Sequence, residues 1–296
     1  AVAAKLYFTS DRLKSLILPE IEQSTHRTVS VREISLSLFP SLSVSLDDLK
    51  ISNRQGARFE RDTFLSLDHL RLNVKLFELL RNKLEITYVI LDHPRVYLET
   101  TEEGVKNSGP SEAGSNHVHV ETDNAGAFLL SNLEIINGEI EQVDKKFNSR
   151  MAIRGLHFTA SAEARPGERP IFITSSFTID AFSYGSLKSF YLSDQPVTAQ
   201  AKLRYDPADD ILLLETVALS VRDLPVSLTG SIGGLTAKEM RMDLLVTSPG
   251  AQMAQLLSII PPELLKSTKR FSSAGEVKCT MTVKGPSSDT VNPGVA

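Results

Sequence analysis

The residues best suited to chemistry lie at positions 117–121. On an extended strand His117, His119 and Glu121 project to one side, and two imidazoles with a carboxylate can hold a divalent ion. The simpler reading is the polar face of an exposed hairpin beside a loop, and it is preferred. The remaining histidines, His26, His69, His93 and His157, are scattered singly and read as surface or turn residues. Gly109-Pro110-Ser111-Glu112-Ala113-Gly114 is one residue too long for a nucleophile elbow and lies in a loop-like stretch, not between a strand and a helix. No phosphate-binding glycine loop, GxGxxG, HExxH or CxxC pattern occurs. Asp47-Asp48 and Asp209-Asp210 read as turn formers rather than acid/base pairs. Lys266, Lys269 and Arg270 follow an apolar helical pattern. They suit either anionic head groups or, more simply, the negative pole of a solvated helix. No catalytic residue, metal site or cofactor is expected.

The elements that would carry such groups are mostly strands. Ser35 and Ser37 alternate with Ile34, Leu36 and Leu38, and Ser43 and Ser45 with Val44 and Leu46, the pattern of a sheet with one wet and one greasy face. Val29 and Val31 are out of phase with Ile34, which predicts a bulge near Arg32 and Glu33. Alternation is strict over Val197–Tyr205, Val226–Ile232 and Met240–Val246. Turn signals fall at Asn137-Gly138, Asp206-Pro207, Asp223-Leu224-Pro225 and Gly233-Gly234. Pro94 removes a ladder donor and marks an edge, a bulge or a break. Helical spacing is confined to Leu13–Ile21, with Ser10 or Thr9 as cap and a kink at Pro19, to a turn at Leu76–Leu80, and to a segment opening at Ser248-Pro249.

The fold class expected is mainly β with a few short helices, a long antiparallel meander curled into a groove or a partly closed sandwich or barrel. The organisation expected is a helix-plus-strands region over 1–100, a flexible loop or long hairpin tip over 101–126, a meander over 127–285 with a helical insertion near 249–269, and a tail over 286–296. The chain has 296 residues, a formal net charge of −4 and one cysteine, Cys279. No basic excess favours nucleic acid, and a lone cysteine makes no internal disulfide.

About a dozen one-faced strands present more apolar surface than short helices can cover. A helix of about 15 residues shields on the order of 200 Å², and a soluble monomer leaves only a few hundred Å² exposed in one patch. The sheet therefore closes on itself, holds an apolar ligand such as an acyl chain, or dimerises through that face. The inward-facing candidates are Leu36, Val44, Leu46, Val197, Leu203, Val226, Leu228, Met242, Leu244, Val277 and Met281.

Several motifs then resemble one family. Arg27-Thr28-Val29, Ser35-Leu36-Ser37-Leu38-Phe39-Pro40-Ser41-Leu42 and Val44-Ser45-Leu46-Asp47-Asp48-Leu49 resemble the start of AsmA-family proteins. Asp92-His93-Pro94-Arg95-Val96-Tyr97-Leu98 and Gly104-Val105-Lys106-Asn107 continue the likeness. So do Leu224-Pro225-Val226 with Gly230, Leu256-Leu257-Ser258-Ile259-Ile260-Pro261, Ala274-Gly275-Glu276-Val277 and Val283-Lys284-Gly285. The resemblance implies a non-enzymatic periplasmic segment of a Gram-negative envelope protein, anchored to the inner membrane by a helix preceding Ala1. It implies a groove for phospholipid acyl chains, similar to bridge-like lipid transfer proteins, and a role in outer-membrane biogenesis. The alternative is an interaction module that assists assembly or targeting of outer-membrane proteins through strand edges.

Overall fold

A computed structural model describes residues 10–11, 14–15, 18–19, 22, 27–37, 42–54, 58–74, 86–108, 132–164, 169–237, 239–252, 275–286 and 294–295. The chain divides into two compact units, residues 1–157 with 184–190, and 158–183 with 191–296. The boundaries between the units fall within strands.

The first unit is built on β1 (Val29–Ser30), β2 (Glu33–Ser37), β3 (Leu42–Ser52), β4 (Thr63–Val74), β5 (Ile86–Asp92), β6 (Arg95–Thr100), β7 (Asn132–Asp144) and β8 (Ser149–Ala164) up to His157. Its strand order is β1-β3-β4-β5-β7-β8, with β2 also on β3, and β6 on β4 and β7. β5 and β6 are halves of one interrupted strand. Both pair antiparallel with β4 and parallel with β7. The sheet is therefore mixed, where the alternation pattern suggested an antiparallel meander throughout. A parallel pair needs a crossover, so β6 and β7 are not the two arms of a hairpin.

A crease runs across this unit. Asp48, His93 and Asn137 have φ of 52°, 54° and 52°. Register brackets them opposite one another: Asp48 faces Asp68 between Asp47–His69 and Leu49–Leu67, and His93 faces Asn137 between Asp92–Ile136 and Arg95–Glu139. Asn and Asp tolerate the left-handed conformation. The crease accounts for two departures from the sequence reading: Asp47-Asp48 lies mid-strand rather than in a turn, and Asn137-Gly138 is a kink inside β7 rather than a hairpin turn. Pro94 sits at the break, one of the places expected for it. The ladder is held across it, since His93 N–H donates to Ile136 O at 2.8 Å and Glu139 N–H to Pro94 O at 2.7 Å.

The crease also resolves the phase problem at Arg32 and Glu33. Val29 and Val31 precede it, Ile34 follows it, and all three are buried on one side. With Leu46, Leu49 and Leu67 they form the unit's core, and Leu18, Leu36, Val44, Ile51, Leu70 and Leu91 pack against it. Described helical residues dock on the β1–β2 edge: Ile34 N–H donates to Ser10 Oγ at 3.0 Å, Lys14 Nζ to Arg32 O, and Val29 N–H to Glu22 Oε1 at 2.8 Å. Ser10 is itself helical, so its hydroxyl ties helix to strand instead of capping.

The second unit takes β8 from Phe158, then β9 (Ile171–Gly185) up to Ser183, β10 (Phe190–Asp206) from Tyr191, β11 (Ile211–Val221), β12 (Leu224–Gly233), β13 (Arg241–Gln252), β14 (Glu276–Pro286) and β15 (Gly294–Val295). They pair in chain order as a meander. Among the described residues the last strand of neither unit returns to the first, so these strands do not close into a barrel. Arg222 and Asp223 both have positive φ, 43° and 64°, the geometry of a two-residue hairpin turn whose twist matches its strands. β13 runs on through Ser248 and Pro249 to Gln252, past a bulge between Ser248 and Ala251. The helix cap expected at Ser248 is therefore not made; its hydroxyl donates to Pro225 O at 3.0 Å. The remaining helical insertion and the turn at Leu76–Leu80 lie outside the described residues.

Candidate functional site

Directly paired residues share a face, so register places the second unit's side chains. Val197, Val221 and Leu224 form one row, and Ala199, Leu219 and Val226 the next. Ala201, Val217, Leu228, Val246 and Met281 follow, then Leu203, Leu214, Gly230, Leu244 and Val283, then Tyr205, Leu212, Ile232, Met242 and Gly285. A bulge at Glu215 and Thr216 shifts the register of β11, which keeps Leu214 and Val217 on the same side. The reverse face carries Thr198, Gln200, Lys202, Ser227, Thr229, Ser231 and Asp243.

Only Val197, Ala199 and Leu214 are buried on the apolar face; the others named there, glycines included, are half-buried. Three strands carry all five rows and two more carry three of them; at about 4.8 Å between strands and about 6.8 Å between rows this spans about 400 Å², within the size range of apolar patches that are often functional. The described residues of this unit are strands and turns only.

Of the sequence candidates, Val197, Leu203, Val226, Leu228, Met242, Leu244 and Met281 come together on this face. Val277 pairs with Ala251 beyond the β13 bulge, in alternation with Met281. Leu36, Val44 and Leu46 lie in the other unit. Leu36 pairs with Val44 and Ile34 with Leu46, and Leu36 and Val44 pack on the core that holds Leu46. Leu46 is 3% exposed, so it is core rather than lining.

The first unit also holds a polar clamp that strand patterning does not reveal. Lys145 Nζ lies 2.7 Å from Glu99 Oε1 and 3.0 Å from Glu60 Oε1. Glu99 Oε2 accepts the Glu60 N–H at 2.8 Å, and Tyr97 OH donates to Glu60 Oε2 at 3.1 Å. Asn107 is fully buried. Its Oδ1 accepts Glu99 N–H at 2.7 Å, and its Nδ2 donates to Tyr97 O at 2.8 Å. The start of the 101–126 stretch is thus packed rather than loose. Hydrogen bonds from Lys145 and Tyr97 hold the Glu60 carboxyl below its usual range. The hydrogen bond to Glu99 raises Lys145, and burial first, then Glu99, pushes the Tyr97 phenol well above its usual value. The family motif at Gly104–Asn107 was the one available signal for this clamp.

His93 Nδ1 lies 3.1 Å from Asp68 Oδ2, and His69 Nδ1 2.7 Å from Asp47 Oδ1. Among the described residues no group of three or more His, Cys, Asp or Glu could hold a metal. His117, His119 and Glu121 lie outside the described residues, as do Lys266, Lys269 and Arg270. Among the described residues no helix is long and apolar enough to cross a membrane.

Fold and face together define a class, open β-sheet proteins with one apolar and one polar face. The chain belongs to the AsmA family, whose model matches residues 1–255. No curated protein and no solved structure shows a significant match.

Proposed function

We propose that this chain is a non-enzymatic periplasmic segment of an envelope protein anchored to the inner membrane, and that it binds or conducts phospholipid acyl chains along the apolar face of β10–β14. The observation that carries this reading is the set of five in-register apolar rows with three buried members. A lipid tail covers such a face without any polar partner, gaining about 25 cal/mol per Å² of apolar area removed from water. Family membership supports a role in outer-membrane biogenesis, with phospholipid as ligand and envelope assembly proteins as further partners.

A photo-crosslinking residue at Leu228 or at Thr229 tests it, in full-length protein expressed in cells. Adjacent positions face opposite ways. Lipid adducts are expected from Leu228 and not from Thr229. Leu228→Asp should lower co-purified phospholipid by most of its wild-type amount, while Thr229→Asp leaves it unchanged. Equal labelling from both positions, or unaltered lipid in folded Leu228→Asp protein, would count against the reading.

A further inference from the structure

The first unit contains a cavity of about 340 Å³ bordered by β4, β6, β7 and β8. Arg61, Arg95, Arg150 and Arg154 line it, against Glu139 and Glu141. Four cations less two anions leave +2 locally, on a chain whose net charge is −4. The guanidinium groups are held in place. Glu141 accepts from both Arg61 Nη2 and Arg150 Nη2, the latter at 2.5 Å. Arg61 stacks over the Tyr97 ring at 4.1 Å, and Arg150 over Phe190 at 5.5 Å. A guanidinium carries five donors in a fixed fork, and Glu141 engages only part of each. Arg150 Nε is buried and meets no acceptor among the described residues. Such a donor is rare in folded proteins and is met by a water, an ion or a ligand in the cavity.

We infer that this cavity binds a phosphate group, with Arg150 and Arg61 as its principal donors. Planar guanidinium forks match phosphate oxygens in pairs. Stacking and the shared carboxylate fix those forks in advance, so little ordering is left to binding. The cavity has room for a phosphate with a short ester substituent. That chemistry belongs equally to a phospholipid headgroup and to a soluble phosphate ester. The inference stands whether or not β10–β14 takes acyl chains, since it rests on the other unit.

The test is calorimetric titration of the full chain at matched ionic strength with inorganic phosphate, glycerol 3-phosphate and dihexanoylphosphatidylglycerol below its micelle concentration. Saturable binding is expected. Arg150→Gln should weaken it about tenfold, the loss of a charge-assisted hydrogen bond. Glu141→Gln should tighten it several-fold, because the competing carboxylate is gone. A purely structural role for Glu141 predicts no such gain. Thermal unfolding without ligand identifies a variant that does not fold, and Arg150→Lys then takes the place of Arg150→Gln. Tighter binding of the short lipid than of glycerol 3-phosphate assigns a headgroup; equal binding assigns a soluble ester. No binding by any of the three, or affinities untouched by both variants, overturns the site.

Discussion

Lys145 Nζ meets Oε1 of Glu99 at 2.7 Å, and the Glu99 side chain has no exposed surface. β6 thereby fastens the turn after β7, since Lys145 N–H also donates to Thr100 O at 2.9 Å. Glu99→Ala leaves the Glu60 N–H and the Lys145 ammonium short of a partner. It should cost about 1–3 kcal/mol, because the Glu60 N–H loses its acceptor and Lys145 keeps only the exposed Glu60 carboxylate. Urea unfolding checks this, with exposed Lys146→Ala as a control. A loss under about 0.5 kcal/mol would show that solvent replaces the carboxylate freely.

The same clamp sets a pH window. Glu60 has its pKa lowered on folding, so its contribution is present above the unfolded carboxylate value of about 4.3 and is lost as pH falls through the lower folded value. Lys145 has its pKa raised, so its contribution is present below about 10.4 and is lost as pH rises through the higher folded value. The stability difference between wild type and Lys145→Met should therefore be flat from about pH 5 to 10 and shrink on both sides. A difference that grows on acidification would reverse the assigned sign.

Asn137 and His93 face each other across a parallel pair, both with positive φ. Asn137→Gly should be neutral or slightly stabilising, whereas Asn137→Ala should cost about 1 kcal/mol, because Ala keeps the Cβ but lacks the short polar side chain that eases Asn into the left-handed region. Equal midpoints for the two variants in thermal unfolding would mean that β7 relaxes without its crease.

Strand alternation made the second unit legible. Val197–Tyr205 and Val226–Ile232 place their side chains as the period of two requires, because consecutive hairpins keep every pairing local in sequence. The first unit was less legible. The parallel pairing of β5 and β6 with β7 joins segments about 44 residues apart, and nothing in either segment encodes the partner. Asn137-Gly138 suits a hairpin turn and a strand kink equally well, because both need a positive φ. Ser248-Pro249 satisfies a helix start locally, but Val277, Cys279 and Met281 of β14 offer β13 a full ladder. Glu99 and Asn107 are buried polar residues held by particular partners, Lys145 for Glu99 and the Glu99 and Tyr97 backbone for Asn107, so their burial leaves no trace in an apolar period of two.

Gly230 lies inside the fourth row of the apolar face, paired with Leu214 on one side and Leu244 on the other. Its φ is 135°, and a Cβ there would overlap the carbonyl oxygen of Asp243 and come within 2.9 Å of Leu244 Cα. Both atoms are backbone, so no rotamer change relieves the clash. Gly230→Ala must instead part β12 from β13 at the centre of the rows and should cost about 2–3 kcal/mol. Gly233 is a control in the same strand, where an added Cβ meets nothing nearer than Ile211 Cγ1 at 3.8 Å. Hydrogen exchange should then show faster opening at Ser231, Leu244 and Leu245 in Gly230→Ala, and wild-type rates there in Gly233→Ala. Unchanged exchange in both would mean that the two strands are not held by this close approach, and the apolar rows would lose the feature that fixes their register.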